Sequence, residues 1–381
     1  MPPAPIAEPS SPLARYRRLS PRSGIFVSPL QLGTMSLGSR WAAVGTTTKE
    51  AAFAYLDAFF EAGGNFIDTA NFYQDGETEE WIGEWMESRQ NRDQIVLATK
   101  YSGAWAAGDP SVKQQAGLIG NCTKSMKLSL EASLRKLRTS YVDILYVHWW
   151  DWTTTIEDVM DGLHVLITQG KVLHIGASNT PAWLVAKGNQ YARDHGRPPF
   201  VIYQGEWNVM CRDVERDILP LCRNDGMAFA PWNMFCSGRL RTDAEEAERE
   251  RAGEHGRVRN APDWKRTDLE RRVSGVLEAI ADEVGAGDIR RVLVAYHLQK
   301  QPHVFPILGG RKLEQLHSNL AALAVGLSDE HIRRIEEAVP FDVGFPHRYV
   351  GDGSQPEPNN ASRIWIDQDP MPAAIRPPLR Q

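Results

Sequence analysis

Short apolar segments alternate with longer amphipathic ones along most of this 381-residue sequence, and that alternation limits the folds it can adopt. Eight segments are short and rich in β-branched or aromatic residues, which is typical of strands: 31–33, 66–67, 95–98, 144–147, 174–177, 201–203, 227–230 and 304–307. Between them, apolar residues recur at spacings of three and four, the period of a helix with one buried face; examples are 48–62, 125–137, 159–167 and 289–298. Strands that alternate with helices predict a parallel α/β sheet covered on both faces.

A sheet of this kind is either closed into a (β/α)8 barrel or open and doubly wound. Two features favour the TIM barrel. No G-x-G-x-x-G sequence follows the first predicted strand, as an open dinucleotide-binding fold would require. Polar residues also follow successive strands, and a barrel builds its catalytic site from such strand ends; they are Asp68, Lys100, His148, Ser178, Asn179, Gln204 and Arg311.

Proline marks the two ends of the predicted barrel. Of 24 prolines, seven lie in residues 1–29 and eight in residues 340–381, and proline-rich segments are poor in regular structure. We therefore predict an N-terminal arm over 1–29, one barrel domain over 30–339 and a C-terminal tail over 340–381. Residues 241–272 interrupt the alternation with nine basic and nine acidic residues. They predict a helical insertion at the barrel rim that is either solvated or acts as a lid.

Charge and hydropathy exclude several classes of protein. The 43 basic and 48 acidic residues give a net charge of −5, whereas a protein that binds a nucleic-acid backbone carries a basic face. No apolar segment approaches the roughly 18 residues that span a bilayer, and residues 1–29 lack the apolar core of a signal peptide. Four cysteines without a C-x-x-C pair are typical of free thiols in a reducing compartment. The sequence therefore predicts a cytoplasmic protein that binds neither nucleic acid nor membrane.

Four strand-end residues are suited to donate a proton to a carbonyl oxygen. Asp68 and Tyr73 belong to one strand end and its loop, and Lys100 and His148 end the next two strands. A tyrosine has a pKa of about 10, but a nearby ammonium lowers that pKa and a carboxylate keeps the ammonium in place. A histidine beside them can orient the carbonyl oxygen. No metal-binding or nucleophile sequence accompanies these residues, which indicates that a nicotinamide supplies the electrons.

These residues lie in sequence strings that resemble the aldo-keto reductases. The strings are 65–73 (NFIDTANFY), 97–100 (LATK), 141–148 (YVDILYVH), 170–172 (GKV) and 175–179 (IGASN). The resemblance covers about 30–327 and is strongest to the fungal aryl-alcohol dehydrogenase and norsolorinic acid reductase branch, through 230–233 (APWN) and 307–312 (ILGGRK). It implies a (β/α)8 barrel that uses NADPH to reduce a carbonyl reversibly to an alcohol. Tyr73 would be the general acid, Asp68 and Lys100 would tune it, and His148 would place the substrate oxygen.

The resemblance also implies where NADP(H) binds. Ser178, Asn179 and Gln204 would hydrogen-bond the nicotinamide amide, and Phe229 would stack on the nicotinamide ring. The loop over 232–240, after the seventh strand, would hold the diphosphate. The segment after the last strand would bind the adenosine, through Gly309, Gly310, Arg311, Gln315 and Asn319. Arg311 would offer two parallel donors to a 2′-phosphate, which favours NADPH over NADH. The full set of expected cofactor contacts is Gly33, Thr34, Met35, Asp68, Ser178, Asn179, Gln204, Phe229, Pro231, Trp232, Asn233, Ser237, Gly238, Arg239, Gly309, Gly310, Arg311, Gln315 and Asn319.

The substrate site is expected to be aromatic. Of 12 tryptophans, Trp149 and Trp150 follow His148 directly, and Trp105 lies in the loop after the third strand. Together with His148 they are expected to form an apolar wall for a flat ring, which favours an aryl aldehyde or aryl ketone over a sugar. One departure from the family pattern lies close by. Gln74 replaces the glycine that usually follows the tyrosine, so we expect that loop to differ in shape.

Three other functions stay open at this point. One is a ketone reductase of narrow specificity in polyketide biosynthesis. Another is a regulatory subunit that binds cofactor with little turnover, as some channel β-subunits of this superfamily do. The third is an NAD-dependent oxidoreductase of sugars or secondary alcohols. The complete tetrad favours an enzyme, and Arg311 and the tryptophans speak against the third function.

Overall fold

The computed structural model of the protein describes residues 8–252 and 265–351. Its strands are β1 (Arg17–Ser20), β2 (Ser23–Val27), β3 (Gln31–Gly33), β4 (Phe66–Asp68), β5 (Val96–Tyr101), β6 (Val142–Val147), β7 (Val172–Ser178), β8 (Ile202–Glu206), β9 (Ala228–Trp232) and β10 (Ile307–Gly309). The strands β1 and β2 form an antiparallel hairpin, and the others form one parallel sheet in the order β10-β3-β4-β5-β6-β7-β8-β9. A parallel bridge between Phe229 and Val304 links the two edges of that sheet. The predicted (β/α)8 TIM barrel is confirmed.

The eighth barrel strand differs from its predicted extent, because residues 304–307 divide between two neighbours. The N–H of Phe305 donates to the carbonyl oxygen of Phe229 in β9 over 2.9 Å. The strand β10 begins only at Ile307, where it pairs with β3. Pro306 lies between the two partners and has no N–H to give to either.

Helices cover the outside of the barrel. They are α1 (Lys49–Glu61), α2 (Glu77–Arg89), α3 (Thr123–Lys136), α4 (Ile156–Thr168), α5 (Ala182–Asp194), α6 (Ile218–Asp225), α7 (Asp243–Ala252), α8 (Asp268–Glu283), α9 (Ile289–Lys300), α10 (Leu313–Ala321), α11 (Asp329–Ala338) and α12 (His347–Val350). The side chain of Thr48 accepts the N–H of Ala51 and so begins α1, and Gly170, with a φ of 69°, follows the end of α4. The four predicted segments are helical, and their ends shift by up to three residues because caps, more than the apolar period, set where a helix begins.

The hairpin closes the amino-terminal end of the barrel. Leu19 of β1 and Val27 of β2 are fully buried and pack in one cluster with Phe66 and Val96, the first residues of β4 and β5. The expected N-terminal arm is therefore in part a plug for the barrel interior. The carboxyl ends of the strands are left as the open end, where a barrel carries its active site.

The described parts of the charged insertion predicted over 241–272 contain helical segments. It contains α7 and the start of α8, and residues 253–264 lie outside the described residues. The Arg266 side chain is buried and forms ion pairs with Asp243 and Glu246 of α7. These ion pairs hold α7 against the start of α8, so part of the segment's charge is paired internally.

The described part of the C-terminal tail packs against the barrel. Phe341 lies beneath the guanidinium groups of Arg212 and Arg216, which come between β8 and α6. Residues 1–7 of the arm and 352–381 of the tail lie outside the described residues. Within the part of the chain that the structure describes, no helix has the length and apolar character needed to cross a membrane.

Candidate active site

The four residues expected to carry chemistry lie together at the open end of the barrel. Asp68 ends β4, Lys100 lies in β5, His148 directly follows β6, and Tyr73 lies in the turn after β4. The Nζ atom of Lys100 is 2.7 Å from Oδ2 of Asp68 and 3.3 Å from the hydroxyl oxygen of Tyr73. The ring centroids of Tyr73 and His148 are 6.1 Å apart. The parallel strands thus bring all four side chains to one place.

Lys100 stays charged although only 1% of it is exposed. Its ammonium donates to the carboxylate of Asp68 and to the carbonyl oxygen of Thr69, in both cases over 2.7 Å. Burial alone lowers the pKa of Lys100, but attraction to Asp68 and then to Tyr73 outweighs burial and raises that pKa above its usual value. A lasting positive charge is therefore held beside the Tyr73 hydroxyl.

His148 is uncharged at neutral pH. Burial and then the positive charge of Lys100 hold the pKa of its imidazole well below the usual value. The residue is 8% exposed, and within residues 8–252 and 265–351 its Nδ1 atom has no hydrogen-bond partner. A neutral imidazole carries one N–H and one lone pair, so it can bind a carbonyl oxygen without bringing a second charge.

Residues from several strands fix the Asp68 carboxylate and backbone. Nε2 of Gln204, in β8, donates to Oδ1 of Asp68 over 2.8 Å. The hydroxyl of Thr34, directly after β3, donates to the Asp68 carbonyl oxygen over 2.8 Å. Together with Lys100 from β5, these contacts hold the carboxylate in one orientation.

The turn that carries Tyr73 is anchored from the helix layer. The ammonium of Lys136 donates to the carbonyl oxygen of Asn71 and pairs with Glu79, both at 2.6 Å. Glu79 is fully buried and also accepts the hydroxyl of Thr99 over 2.6 Å. A buried carboxylate needs such partners, and through them the turn is tied to α2, α3 and β5.

The three residues expected to bind a nicotinamide amide lie beside the four candidate catalytic residues. Ser178 ends β7, and Gln204 lies opposite it in β8. Asn179 donates from Nδ2 to the carbonyl oxygen of His148 over 3.0 Å. Hydroxyl and amide groups both donate and accept hydrogen bonds, as an amide ligand requires. Their chemistry and their place at the open end fit a nicotinamide.

Phe229 does not lie where a nicotinamide ring could stack on it. The pairing of β8 with β9 places Ala230 opposite Gln204 and Phe229 opposite Tyr203. Since Gln204 faces the barrel interior and side chains alternate along a strand, Phe229 faces the helices, where it is 2% exposed and stacks on Tyr203 at 6.0 Å. Its expected role is incompatible with this position. Trp232 shares the inner face of β9 at the open end.

The loop expected to hold a diphosphate follows β9. Oδ1 of Asn233 accepts the N–H and the hydroxyl of Ser237 over 2.7 and 3.0 Å, which folds the loop back on itself. Gly238 has a φ of 81° in this turn, a conformation that glycine adopts without strain. Arg239 pairs with Glu270 of α8 at 3.1 Å and keeps 45% of its side chain exposed, so it is accessible to an anion.

The loop expected to hold adenosine follows β10. Oε1 of Gln315 accepts the N–H groups of Arg311 and Lys312 over 3.0 and 3.3 Å. The exposed Arg311 guanidinium lies against Gly45, and a cation that offers two parallel donors fits a 2′-phosphate. Asn319 is buried one turn further along α10. The other expected contacts lie at or directly after the ends of β3, β9 and β10: Gly33, Thr34, Met35, Pro231, Gly309 and Gly310.

The expected tryptophan wall is formed in part. The Trp149 ring lies 4.6 Å from the ring of His148. Trp150 is buried in the layer between barrel and helices, in one cluster with Ile156, because the chain turns outward there to begin α4. Within the described residues neither Trp150 nor Trp105 makes a ring contact with the four candidate catalytic residues, and Nε1 of Trp105 is buried without a partner.

Phe72 is a wall residue that the sequence did not reveal. Its ring centroid lies 5.4 Å from that of His148, 5.5 Å from that of Tyr73 and 5.9 Å from that of Trp149. The only sequence feature that could have indicated this role is its position directly before Tyr73. The ring centroid of Trp41 lies 5.6 Å from that of Phe72. Trp41 is in the irregular loop after β3, and nothing in the sequence indicated that it would lie near the site.

Known proteins are similar in sequence to this chain over most of its length. The sequence model described as "Aldo/keto reductase family" matches residues 29–340. An aryl-alcohol dehydrogenase (NADP(+)) of Phanerodontia chrysosporium is 54% identical over 98% of this chain and 98% of its own length. Norsolorinic acid reductase B of Dothistroma septosporum is 48% identical over 95% of this chain and 94% of its own length. Norsolorinic acid reductase A of Aspergillus parasiticus is 48% identical over 90% of this chain and 86% of its own length.

Proposed function

Since the chain belongs to the aldo/keto reductase family, we propose that it reduces aryl aldehydes or aryl ketones reversibly to alcohols, with Tyr73 as the general acid. The protein is an oxidoreductase that uses NADP(H). One observation carries the proposal. The buried ammonium of Lys100 lies 3.3 Å from the Tyr73 hydroxyl oxygen, beside an uncharged His148.

Tyr73 supplies the proton to the carbonyl oxygen. When the phenol loses its proton, a negative oxygen forms next to Nζ of Lys100, and the positive charge stabilises it. Asp68 holds that ammonium through a 2.7 Å contact. Because the site is buried, the effective dielectric constant is low and the stabilisation is stronger than in water.

His148 positions the substrate oxygen. Its low pKa keeps the ring neutral near pH 7. The ring can therefore donate a hydrogen bond to the substrate oxygen, but it has no extra proton to transfer in place of Tyr73. The Asn179 amide and the ring of Trp149 hold His148 from two sides. A carbonyl oxygen bound between His148 and Tyr73 is oriented for protonation.

NADP(H), when bound, supplies the hydride that reduces the carbonyl carbon. Ser178, Asn179 and Gln204 would hold its nicotinamide amide, and Trp232 would contact the ring from the inner face of β9. Arg311 would bind the 2′-phosphate. These residues lie at the open end of the barrel, on the side where the catalytic four are assembled.

Aromatic side chains support an aryl substrate. Phe72 and Trp149 flank the catalytic residues and offer flat apolar faces. The relatives are named for aryl alcohols and for norsolorinic acid. A ketone reductase of narrow specificity is the second candidate, because the aromatic wall continues outward from Phe72 to Trp41.

The test is the loss of NADPH absorbance with a panel of carbonyl compounds, repeated with NADH. The panel contains benzaldehyde, 2-naphthaldehyde, a polycyclic aryl ketone and an aldose. We expect turnover of the aromatic carbonyls with NADPH and little turnover of the aldose. Turnover of the aldose alone would contradict the aryl substrate class. Cofactor binding without turnover of any member would contradict a general aryl-carbonyl activity and favour the ketone reductase of narrow specificity.

A further inference from the structure

The turn after Tyr73 has an unfavourable backbone for its sequence. Gln74 and Asp75 have φ values of 52° and 56°, and Gly76 follows at 92°. Residues with a Cβ rarely adopt the left-handed region, and glycine adopts it freely. Gln74 is also fully buried. A buried polar side chain in a strained conformation, directly after the proposed acid, requires a compensating interaction.

The side chain of Gln74 supplies that interaction by organising the loop after β3. Its Oε1 atom accepts the N–H groups of Arg40 and Trp41 over 3.0 and 2.6 Å. Its Nε2 atom donates to the carbonyl oxygen of Met35 over 3.0 Å. A Cβ at Gly38 would clash with the Gln74 side chain. The loop over 35–41 is thus wrapped around one amide group.

This arrangement fixes the Trp41 indole. Its N–H donates to Oδ1 of Asp75 over 2.9 Å, and its ring lies against Phe72 at 5.6 Å with a 45° tilt. The ring of Phe72 in turn contacts both Tyr73 and His148. Aromatic contacts therefore run without a break from the catalytic pair to Trp41, which is half-buried.

We propose that Trp41 is a specificity-determining residue, the outer wall that contacts the second ring of a polycyclic aryl carbonyl, and that Gln74 is a positioning residue that holds it there. The inference rests on the proposed aryl-carbonyl reduction. A substrate with one ring, its carbonyl between Tyr73 and His148, is covered by Phe72 and Trp149. A substrate that extends past Phe72 meets Trp41, whose face adds stacking and apolar contact.

The experiment compares two aldehydes that differ by one fused ring, benzaldehyde and 2-naphthaldehyde. Trp41→Ala removes the ring, and Trp41→Phe keeps a smaller one. Trp183→Ala is the matched control, because Trp183 is an exposed tryptophan on α5 that contacts the ring of Trp152. We expect Trp41→Ala to lower kcat/KM for 2-naphthaldehyde about tenfold, mainly through KM, and to change that for benzaldehyde less than about threefold. Trp41→Phe is expected to lie between wild type and alanine, and Trp183→Ala to match wild type.

Gln74→Gly tests the positioning role, since glycine adopts the left-handed turn without strain but lacks the amide. We expect the preference for 2-naphthaldehyde over benzaldehyde to fall as in Trp41→Ala. In a Trp41→Ala background, Gln74→Gly should leave that preference unchanged, because its effect runs through Trp41. A residue that served stability alone would lower the melting temperature and leave the preference intact.

Titration calorimetry of 2-naphthaldehyde into the NADP+-bound protein separates this inference from the proposed function. If the wild type turned over no carbonyl, the proposed function would fail, and the dissociation constant would still report on Trp41. We expect Trp41→Ala to weaken that binding about tenfold. Equal losses for both aldehydes, an unchanged dissociation constant, or a Trp183→Ala effect as large as that of Trp41→Ala would overturn the inference.

Discussion

The side-chain amide of Gln204 donates a hydrogen bond to Oδ1 of Asp68 over 2.8 Å, which joins β8 to β4 across the barrel. The other carboxylate oxygen, Oδ2, contacts Lys100 at 2.7 Å. Each oxygen of Asp68 therefore has a partner from a different strand. Hydrogen bonds to a charged acceptor contribute about 1.5–3 kcal/mol, so these two contacts hold the carboxylate that in turn holds the ammonium.

Replacing Gln204 by leucine removes one of these contacts. We expect Gln204→Leu to lower the free energy of unfolding by about 1.5–3 kcal/mol, because Oδ1 of Asp68 stays buried without its donor. Urea unfolding measures the change. Gln190→Leu is the matched control, since Gln190 donates to Asp194 over 2.7 Å at an exposed site, and it should cost less than about 0.5 kcal/mol. Equal costs at the two sites would contradict the role given to burial.

Lys100→Met is expected to harm both stability and activity, for separate reasons. The carboxylate of Asp68 would be left buried without a cation, which costs about 3–5 kcal/mol. Adding Asp68→Asn removes that charge and should recover most of the lost stability. Activity should stay lost in the double variant, because no ammonium remains beside Tyr73. Urea unfolding and NADPH consumption check the two parts, and an active double variant would refute the electrostatic role of Lys100.

His148 makes stability depend on pH. Burial and the charge of Lys100 hold the pKa of His148 well below its usual value in the folded protein, whereas in the unfolded chain the imidazole binds a proton near pH 6.5. Below about pH 6.5 the unfolded state therefore binds more protons, and the free energy of unfolding falls as the pH falls.

His148→Gln should remove that contribution. From pH 7.5 to pH 5 we expect the wild type to lose more stability than the variant in urea unfolding, by up to about 2 kcal/mol. His297, whose pKa burial lowers to about 4, is present in both proteins, so the difference isolates His148. Parallel curves for the two proteins would show that the imidazole is not held neutral by its site.

The fold could be predicted from the sequence because helix period and strand ends are local signals. Thr48 and Gly170 mark helix ends by their own side-chain and backbone chemistry. The tetrad could be predicted for a related reason. Each member lies at or just after a strand end, and parallel strands bring such ends together.

The position of Phe229 could not be predicted in the same way. Both faces of a barrel strand are apolar, so the sequence Ala228-Phe229-Ala230 does not show which side chain faces inward. The pairing with β8 decides it. The hydrogen bonds by which Gln74 holds the loop with Trp41 depend on left-handed backbone at residues other than glycine, which a single sequence does not reveal. The burial of Trp150 could not be predicted either, because it depends on where the chain turns to begin α4.

Arg311 is expected to determine the choice of cofactor. Arg311→Ala should weaken NADPH binding about 10–100-fold, since two charge-assisted hydrogen bonds to the 2′-phosphate are lost. NADH lacks that phosphate, so its affinity should change less than about twofold. Fluorescence titration of the wild type and the variant with both cofactors measures this. Arg333→Ala, an exposed arginine on α11, is the control, and equal losses for NADPH and NADH would place the 2′-phosphate elsewhere.

The role of Tyr73 as the proton donor can be tested with Tyr73→Phe. The substitution removes one oxygen atom and keeps the ring against Phe72 and His148. Turnover of benzaldehyde and the dissociation constant of NADPH are measured on the same preparations, with the exposed Tyr16→Phe as the control. We expect turnover to fall about 10²–10⁴-fold, while the NADPH dissociation constant changes less than about twofold. Turnover within about threefold of the wild type would contradict the role of Tyr73 as the acid.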